Sequence, residues 1–280
     1  MNGRALSFPT KPIILSGLLA ACFGVAYAHT LARLVVDWST DPNFSHGFLI
    51  PPAAAYMLWQ KREDLAQARL QPSLWGLVVL AIGLGLHIAG NIGAELFTMR
   101  FSILVTLLGL SLYLFGREVT RKALIPMLYL LFMIPIPAIL WNKIAFPLQL
   151  FASGLAAEAI RFLSIPILRE GNVLHLANTT LEVVDACSGL RSLTSLLALS
   201  GALAYIVSLS RVSKTILFLS AFPIAIAVNI LRLTLTAAAA HWIGPHMVHG
   251  FLHEASGLIV FGLAFFLLFL IYVGLSRIRS

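Results

Sequence analysis

The sequence predicts an all-α polytopic membrane protein, and three observations support this fold class. Of the 280 residues, 59% are apolar and only 11% are charged, whereas a soluble domain carries about 25% charged residues. Several apolar stretches approach the ~20 residues that an α-helix needs to cross a bilayer. The 19 Lys and Arg are distributed among these stretches rather than gathered in one basic run. A soluble, disordered or disulfide-rich chain is therefore excluded, and despite the net charge of +8 no nucleic-acid partner is expected.

Hydropathy predicts about eight transmembrane helices in a single integral-membrane domain of residues 1–280. With both termini in the cytoplasm, most of the 19 basic residues fall in cytoplasmic segments, in accord with the positive-inside rule. The first span also resembles a signal peptide ending at Ala28, but apolar residues continue through Val36, which favours an uncleaved helix. The predicted spans cover residues 12–36, 46–60, 74–92, 96–115, 122–140, 189–209, 214–238 and 255–275.

A ninth apolar segment, residues 146–165, carries charges of both signs. Glu158 and Arg161 are one helical turn apart on the same face, and Pro147 and Pro166 flank the segment. Because charges near the centre of a bilayer are costly, we expect an interfacial or re-entrant helix here. The alternative is a buried span in which the two charges pair.

Pro135 and Pro137 lie within the predicted span 122–140. Prolines leave backbone carbonyls without their helical donors, which a membrane protein tolerates only beside protein or water. A simple kink is the preferred interpretation. The alternative is a break that opens a lateral gate or a wet cleft for the helix of a substrate.

Two short runs further along the chain have the composition of β-strands, Val173–Leu176 and Leu181–Val184. Turn-forming residues precede and separate them, at 170–172 and 177–179. We therefore expect a small extracytoplasmic β-hairpin that lies on the membrane surface and leads the chain to Cys187.

Cys187 is the first candidate for a reactive group. It directly precedes the predicted span 189–209, so its thiol would lie at the positive end of a helix dipole, and Arg191 follows one helical turn later. Both features favour the nucleophilic thiolate. The alternative is that Cys187 is a small apolar side chain that only packs against its neighbours. The other cysteine, Cys22, lies inside an apolar run, so both thiols are expected to be unpaired.

Arg232 and Asn229 place two polar groups on one face of an otherwise apolar helix, the predicted span 214–238. An arginine at this depth either snorkels to the surface or binds an anionic partner inside the bundle. The neighbouring amide favours the second interpretation, a site near the outer end of the span.

Several histidines follow, ending in His249 and His253 at the start of the last predicted span. His253 is followed by Glu254 but lacks the second histidine of the zinc-protease motif, so we expect no metal and no other cofactor. An imidazole there could meet Cys187 and act as general base and then general acid. His253 is the first choice for this role and His249 the second. A thiol, an arginine and an imidazole at one membrane face suggest acyl transfer.

Three short motifs together resemble the signatures of the exosortase/archaeosortase family. They are Asp185–Leu193 (DACSGLRSL), Asn229–Arg232 (NILR) and His253–Gly257 (HEASG). Two upstream segments agree with the same family, Asp41–Pro51 (DPNFSHGFLIP) and Met133–Leu150 (MIPIPAILWNKIAFPLQL). The resemblance runs from residue 40 to residue 265, and its specificity comes from the order and spacing of the motifs, each of which is short.

The resemblance implies a membrane cysteine peptidase and transpeptidase that acts through a thioester on Cys187. It assigns the family arginine to Arg232 and the third reactive residue to His253, a position where archaeal relatives carry an arginine. Because a guanidinium keeps its proton, we expect Arg232 to bind the oxyanion or a substrate carboxylate rather than to donate a proton. The candidates for supporting roles are Arg191, Asn229, His249 and His46.

The substrates implied by the resemblance are exported proteins with a three-part C-terminal tail: a Pro-Glu-Pro motif, one transmembrane helix and a basic cluster. Cleavage would occur at the periplasmic face of the bacterial inner membrane, among membrane lipids and with the exopolysaccharide machinery as a further partner. Two alternatives stay open. One is a non-enzymatic component of exopolysaccharide polymerisation or export, which needs no thiol. The other is a small-solute transporter, which predicts a repeat symmetry that the sequence does not show.

Overall fold

The computed structural model describes residues 10–183, 190–244 and 251–277, with residues 10–16 and 251–256 described by their backbone only. These residues form a mostly helical protein with one small sheet. The helices are α1 Thr10–Thr40, α2 Ile50–Gln60, α3 Arg62–Ala66, α4 Trp75–Ile92, α5 Leu96–Leu114, α6 Arg117–Tyr129, α7 Ala138–Phe162, α8 Leu190–Ile206, α9 Arg211–Leu219, α10 Ala221–Trp242 and α11 Phe251–Arg277. The other described elements are the 3-10 helices Ser45–Leu49 and Leu130–Met133 and the strands β1 Ile167–Glu170, β2 Val173–Leu176 and β3 Thr180–Glu182.

Among the described residues, 5 helical segments are long and apolar enough to cross a membrane. A broken pair, Arg117–Met133 and Ala138–Phe162, raises the number to 6 if the pair forms one span. The predicted multi-pass architecture is thus confirmed, whereas the predicted number of eight spans is not. The single segments are Gly17–Thr40, Trp75–Ile92, Leu96–Leu114, Arg211–Trp242 and Gly257–Arg277.

Two of the predicted spans are not among these segments. Residues 46–60 fold as a 3-10 turn followed by α2, which has 11 residues, fewer than a bilayer crossing requires. Of the predicted span 189–209, the described part forms α8, whose 17 residues begin at Leu190. Pro51 and Pro52 occupy the first turn of α2, where the missing N–H groups cost nothing. The prolines therefore explain why the α-helix begins only at Ile50.

The predicted span 122–140 is not one continuous helix, because the helix breaks inside it. Helix α6 tightens into the 3-10 turn Leu130–Met133, and α7 begins at Ala138 directly after Pro137. Pro135 and Pro137 cannot donate the backbone hydrogen bonds that a continuous helix would need. The preferred prediction of a simple kink is therefore wrong, and the chain has a break here. The lateral gate or wet cleft stays a prediction.

Helix α7 is longer than the segment 146–165 that the sequence indicates, since it covers 25 residues and continues through Pro147. Arg161 Nη1 lies 2.5 Å from Glu158 Oε1, which confirms the expected position of both charges on one helix face. The side chains are 48% and 72% exposed, so the ion pair lies on the surface of the protein.

The chain divides into two compact units. The first unit lies within Met1–Asp41 and Ala54–Pro135, and the second lies within Pro42–Ala53 and Ile136–Ser280. The single integral-membrane domain of residues 1–280 stays a prediction.

In the first unit, helices α4 and α5 pack with their backbones in close approach. Gly76, Gly83 and Gly90 of α4 all face α5, and a Cβ atom at Gly90 would lie 2.9 Å from the backbone nitrogen of Met99. Small residues at such a seam are the usual way in which membrane helices pack closely.

Polar contacts join α1 to α5 in the same unit. Tyr27 is fully buried, and its hydroxyl lies 3.0 Å from Ser102 Oγ and 2.8 Å from Thr106 Oγ1. The buried guanidinium of Arg100 donates to the carboxylate of Asp37. Pairing of this kind is expected for polar groups in membrane helices, where water does not supply the missing partners.

We expect Arg100→Ala to lower the free energy of unfolding by about 3 kcal/mol, because Asp37 loses its buried partner. The control Arg33→Ala removes an exposed arginine from α1 and should change stability by less than about 0.5 kcal/mol. Thermal unfolding of the detergent-solubilised variants measures both effects. Equal losses in the two variants would show that the ion pair has no structural role.

The second unit contains a three-stranded antiparallel sheet with the strand order β1-β2-β3. Leu174 of β2 pairs with Leu181 of β3, so the predicted hairpin is present, although β3 ends at Glu182. The additional strand β1 was not predicted. It joins β2 through a tight turn in which Gly171 has a φ of +63°, a conformation that favours glycine.

One face of this sheet packs on α7 and α10. Leu174 and Val183 are fully buried, and they cluster with Ala156 of α7 and Ala237 of α10. The small side chains of both helices let the sheet approach closely.

A second hydrophobic cluster holds α8, α9, α10 and α11 together. Its fully buried members include Leu196 of α8, Leu217 of α9 and Leu268 of α11. This cluster sets the position of α10 against α11, the two helices that carry the NILR and HEASG motifs.

Candidate functional site

Helix α10 directs two polar side chains into the interior of the second unit. Arg232 is 9% exposed, and Asn229, three residues earlier on the same face, is 3% exposed. Leu231 and Leu235 cover the outer side of the helix and are exposed. The guanidinium therefore does not snorkel along the surface, in agreement with the interpretation of an inward polar face.

The guanidinium of Arg232 lies against helix α11 at Gly257. A Cβ atom on Gly257 would be 3.8 Å from Nη2 and 3.9 Å from Cζ of Arg232. His253 precedes Gly257 by four residues on α11, which is one helical turn. The fold thus brings the NILR motif to the turn of α11 that follows His253.

Arg191, near the start of α8, is tied to the upstream DPNFSHG segment. Its Nε donates to Oδ1 of Asn43 over 3.0 Å. The next residue, Phe44, makes an edge-to-face contact with Trp141 of α7, with ring centroids 5.5 Å apart. His46 follows in the 3-10 helix Ser45–Leu49 and is half-buried. This segment therefore fixes the start of the helix that follows Cys187.

A double-mutant cycle of Arg191→Ala and Asn43→Ala is expected to give a coupling energy of about 1 kcal/mol in unfolding free energy, because either change removes the same hydrogen bond. As a control, Arg161→Ala combined with Asn43→Ala should be additive within about 0.5 kcal/mol. Additive effects for the first pair would mean that the bond contributes nothing to stability.

The exit from the sheet toward Cys187 is held by Asn172. The Val183 N–H donates to the Asn172 carbonyl over 2.9 Å, and Asn172 Nδ2 donates to the Val183 carbonyl over 3.2 Å. In the next turn, Asn178 Nδ2 donates to the carbonyl of Ala240 in the last turn of α10 over 2.8 Å. These bonds attach the strand that leads to Cys187 both to the sheet and to α10.

Asn43, Asn172 and Asn178 were not predicted as site residues. An amide in a turn carries no chemical signal of its own, since asparagine is common in turns. The available hint for Asn43 was its place in the segment Asp41–Pro51, which resembles the family motif.

Cys187 and His249 lie outside the described residues, and so does the side chain of His253. The roles of these residues stay predictions. The chain on either side of Cys187 is well anchored, since Val183 and Leu190 are both buried. Within residues 10–183, 190–244 and 251–277, no group of three or more His, Cys, Asp or Glu is placed to hold a metal ion.

Comparison with known families gives one match. The sequence model of the transmembrane exosortases matches residues 38–270. No curated protein and no solved structure matched the chain. The matched range includes all five motif segments on which the resemblance rests.

Proposed function

Because the chain belongs to the transmembrane exosortase family, we propose that it is a membrane-embedded cysteine peptidase and transpeptidase. Its substrates are exported proteins whose C-terminal tail combines a Pro-Glu-Pro motif, a transmembrane helix and a basic cluster. The reaction takes place at the periplasmic face of the bacterial inner membrane, and both termini of the enzyme are cytoplasmic. Membrane lipids and the exopolysaccharide machinery are further partners.

The position of Arg232 carries this proposal. Its guanidinium is 9% exposed and lies against α11 at Gly257, one turn after His253. Arginines inside membrane helices face the interior of the bundle or a water-filled cavity, and they mark functional sites. The guanidinium of Arg232 can stabilise the oxyanion that forms during acyl transfer, and this oxyanion would lie beside the helix that supplies the imidazole.

Acylation proceeds by attack of the Cys187 thiolate on the carbonyl carbon of the scissile peptide bond. A C–S bond forms, and the electron pair of the C=O bond moves to the oxygen, where Arg232 stabilises it. When the tetrahedral intermediate collapses, the C–N bond breaks. The leaving amine takes a proton from the His253 imidazolium, and the acyl group stays on sulfur as a thioester.

Deacylation reverses these roles. Water or an acceptor nucleophile attacks the thioester carbonyl, His253 takes the proton of the nucleophile, and the Cys187 thiolate leaves. Water gives hydrolysis, whereas an acceptor gives transpeptidation. Arg232 meets an oxyanion in both halves of the reaction, so a group that never loses its proton suits this position.

Co-expression with a reporter protein tests the proposed function. The reporter carries a C-terminal Pro-Glu-Pro segment, a transmembrane helix and a basic cluster, behind a signal peptide. We expect the enzyme to convert the reporter to a shorter form that lacks the membrane helix, as mass spectrometry of the new C-terminus would show. A reporter that stays full length in cells with folded enzyme would overturn the proposal.

A further inference from the structure

Among the described residues, strand β3 forms one edge of the sheet of the second unit. The Val183 N–H donates to the Asn172 carbonyl over 2.9 Å, and the Leu176 N–H donates to the Thr179 carbonyl over 2.8 Å. Backbone groups alternate in direction along a strand, so Thr180 and Glu182 direct their N–H and C=O groups away from β2. In the described part of the chain, no further strand pairs with them.

The opposite edge of the sheet, strand β1, is fastened to α7. Arg169 Nε donates to Ser153 Oγ over 3.2 Å, and its Nη2 donates to the carbonyl of Leu150 over 3.0 Å. A Cβ atom on Gly154 would lie 3.2 Å from Arg169 Nη1, which shows how closely the strand and the helix approach. The edge to which another strand can be added is therefore assigned to β3, whose outer side no described strand occupies.

Strand β3 also leads directly to the proposed nucleophile. Cys187 follows Glu182 by five positions, which corresponds to at most about 18 Å of extended chain. Asn172 binds both the N–H and the C=O of Val183, so the start of this connection is fixed. A peptide bound along β3 would consequently lie within the length of one short strand from the thiol.

We propose that the outer edge of β3, Thr180–Glu182, binds the peptide segment of the substrate tail as a fourth strand. The proposal rests on the proposed function, because it names the surface on which that substrate docks. Strand addition uses main-chain hydrogen bonds for affinity, and it presents an extended peptide whose sequence is only partly constrained. The side chains of Thr180 and Glu182 are exposed, so the face of β3 that carries them is open to the side chains of a bound peptide.

The proposed recognition motif suits a single free edge. In extended Pro-Glu-Pro, the two prolines occupy alternate positions, so both missing N–H groups fall on one side of the strand. The Glu N–H points to the other side and can pair. Proline in sheets is confined to edge strands, with the side that lacks the donor facing outward. A Pro-Glu-Pro segment therefore pairs through its Glu side with β3 and becomes the new outer strand.

Backbone methylation of a synthetic peptide tests this docking mode. The peptide contains Pro-Glu-Pro with four residues on each side, and its Kd is measured with the full-length Cys187→Ala variant in detergent. N-methylation of the Glu, or of the residue just before the motif, should weaken binding about tenfold, because each removes a donor that faces β3. N-methylation two residues before the motif affects the outer side and should change Kd by less than about twofold.

A pair of enzyme variants provides a second test. Glu182→Pro removes the outward N–H of β3 but keeps the inward ladder to β2, whereas Glu182→Ala keeps that N–H. We expect the proline variant to bind the peptide at least about fivefold more weakly than the alanine variant. Thermal unfolding establishes that both are folded. Equal affinities of the two variants, or methylation effects that do not alternate along the peptide, would overturn the edge proposal.

The proposed function is tested separately by trimming of the tail-bearing reporter with the wild-type enzyme. Trimming of the reporter without alternating methylation effects in the peptide would leave the peptidase standing and remove only the fourth strand. A reporter that stays full length in the presence of folded enzyme would overturn the proposed function itself.

Discussion

Replacing Cys187 by alanine is expected to reduce cleavage of the tail-bearing reporter by at least about 10⁴-fold, which is below detection in cells. Without sulfur, no thioester forms, and the remaining groups can only polarise the peptide bond. The measurement is the ratio of trimmed to full-length reporter. Cys187→Ser should recover little activity, because a hydroxyl is far harder to ionise than a thiol.

Cys22 supplies the matched control. It is an exposed residue of α1 in the first unit, and Cys22→Ala should leave trimming at the wild-type level. Normal trimming by Cys187→Ala would contradict the thiol mechanism. A non-enzymatic component of exopolysaccharide export needs no thiol, so under that alternative Cys187→Ala would leave export working.

Replacing Arg232 by alanine is expected to lower kcat by about 10²–10³-fold, the usual effect of removing one oxyanion donor. Arg232→Lys should fall between alanine and wild type, because an ammonium keeps the charge but loses the planar fork of donors. The change should leave KM within about threefold. Steady-state cleavage of the synthetic peptide measures both constants.

A substrate variant separates the two roles considered for Arg232. If the arginine binds the carboxylate of Pro-Glu-Pro, a Pro-Gln-Pro peptide should raise KM for the wild-type enzyme but not for Arg232→Ala. If Arg232 binds the oxyanion, both enzymes should respond alike to the Gln peptide. Leu235→Ala, an exposed change on the same helix, should leave kcat within about twofold and controls for general damage to α10.

Most of the helical architecture could be predicted, because apolar length alone indicates which segments can enter a bilayer. Helices α4, α5 and α11 lie close to the predicted spans 74–92, 96–115 and 255–275. A hydropathy window averages over Pro135 and Pro137, so the sequence favours a kink where the structure has a break between α6 and α7. The position of Glu158 and Arg161 on one helix face could be predicted from their spacing, since a contact within one helical turn is a local property.

Long-range contacts were the part that the sequence could not supply. Asn43 and Arg191 are 148 positions apart, so no local pattern joins them. Strand β1 exists because it pairs with β2 and is anchored to α7 by Arg169, not because its own residues demand an extended chain. The burial of Arg232 against Gly257 likewise depends on the packing of α10 on α11, whereas the polar face of α10 was visible in the spacing of Asn229 and Arg232.

Intact-mass spectrometry of the acid-quenched enzyme with its peptide substrate tests the thioester mechanism most directly. The account predicts a species heavier than the free enzyme by the mass of the N-terminal product acid less one water, with the adduct on Cys187 and sensitive to hydroxylamine. Attachment of the substrate fragment to any other residue would contradict the central claim.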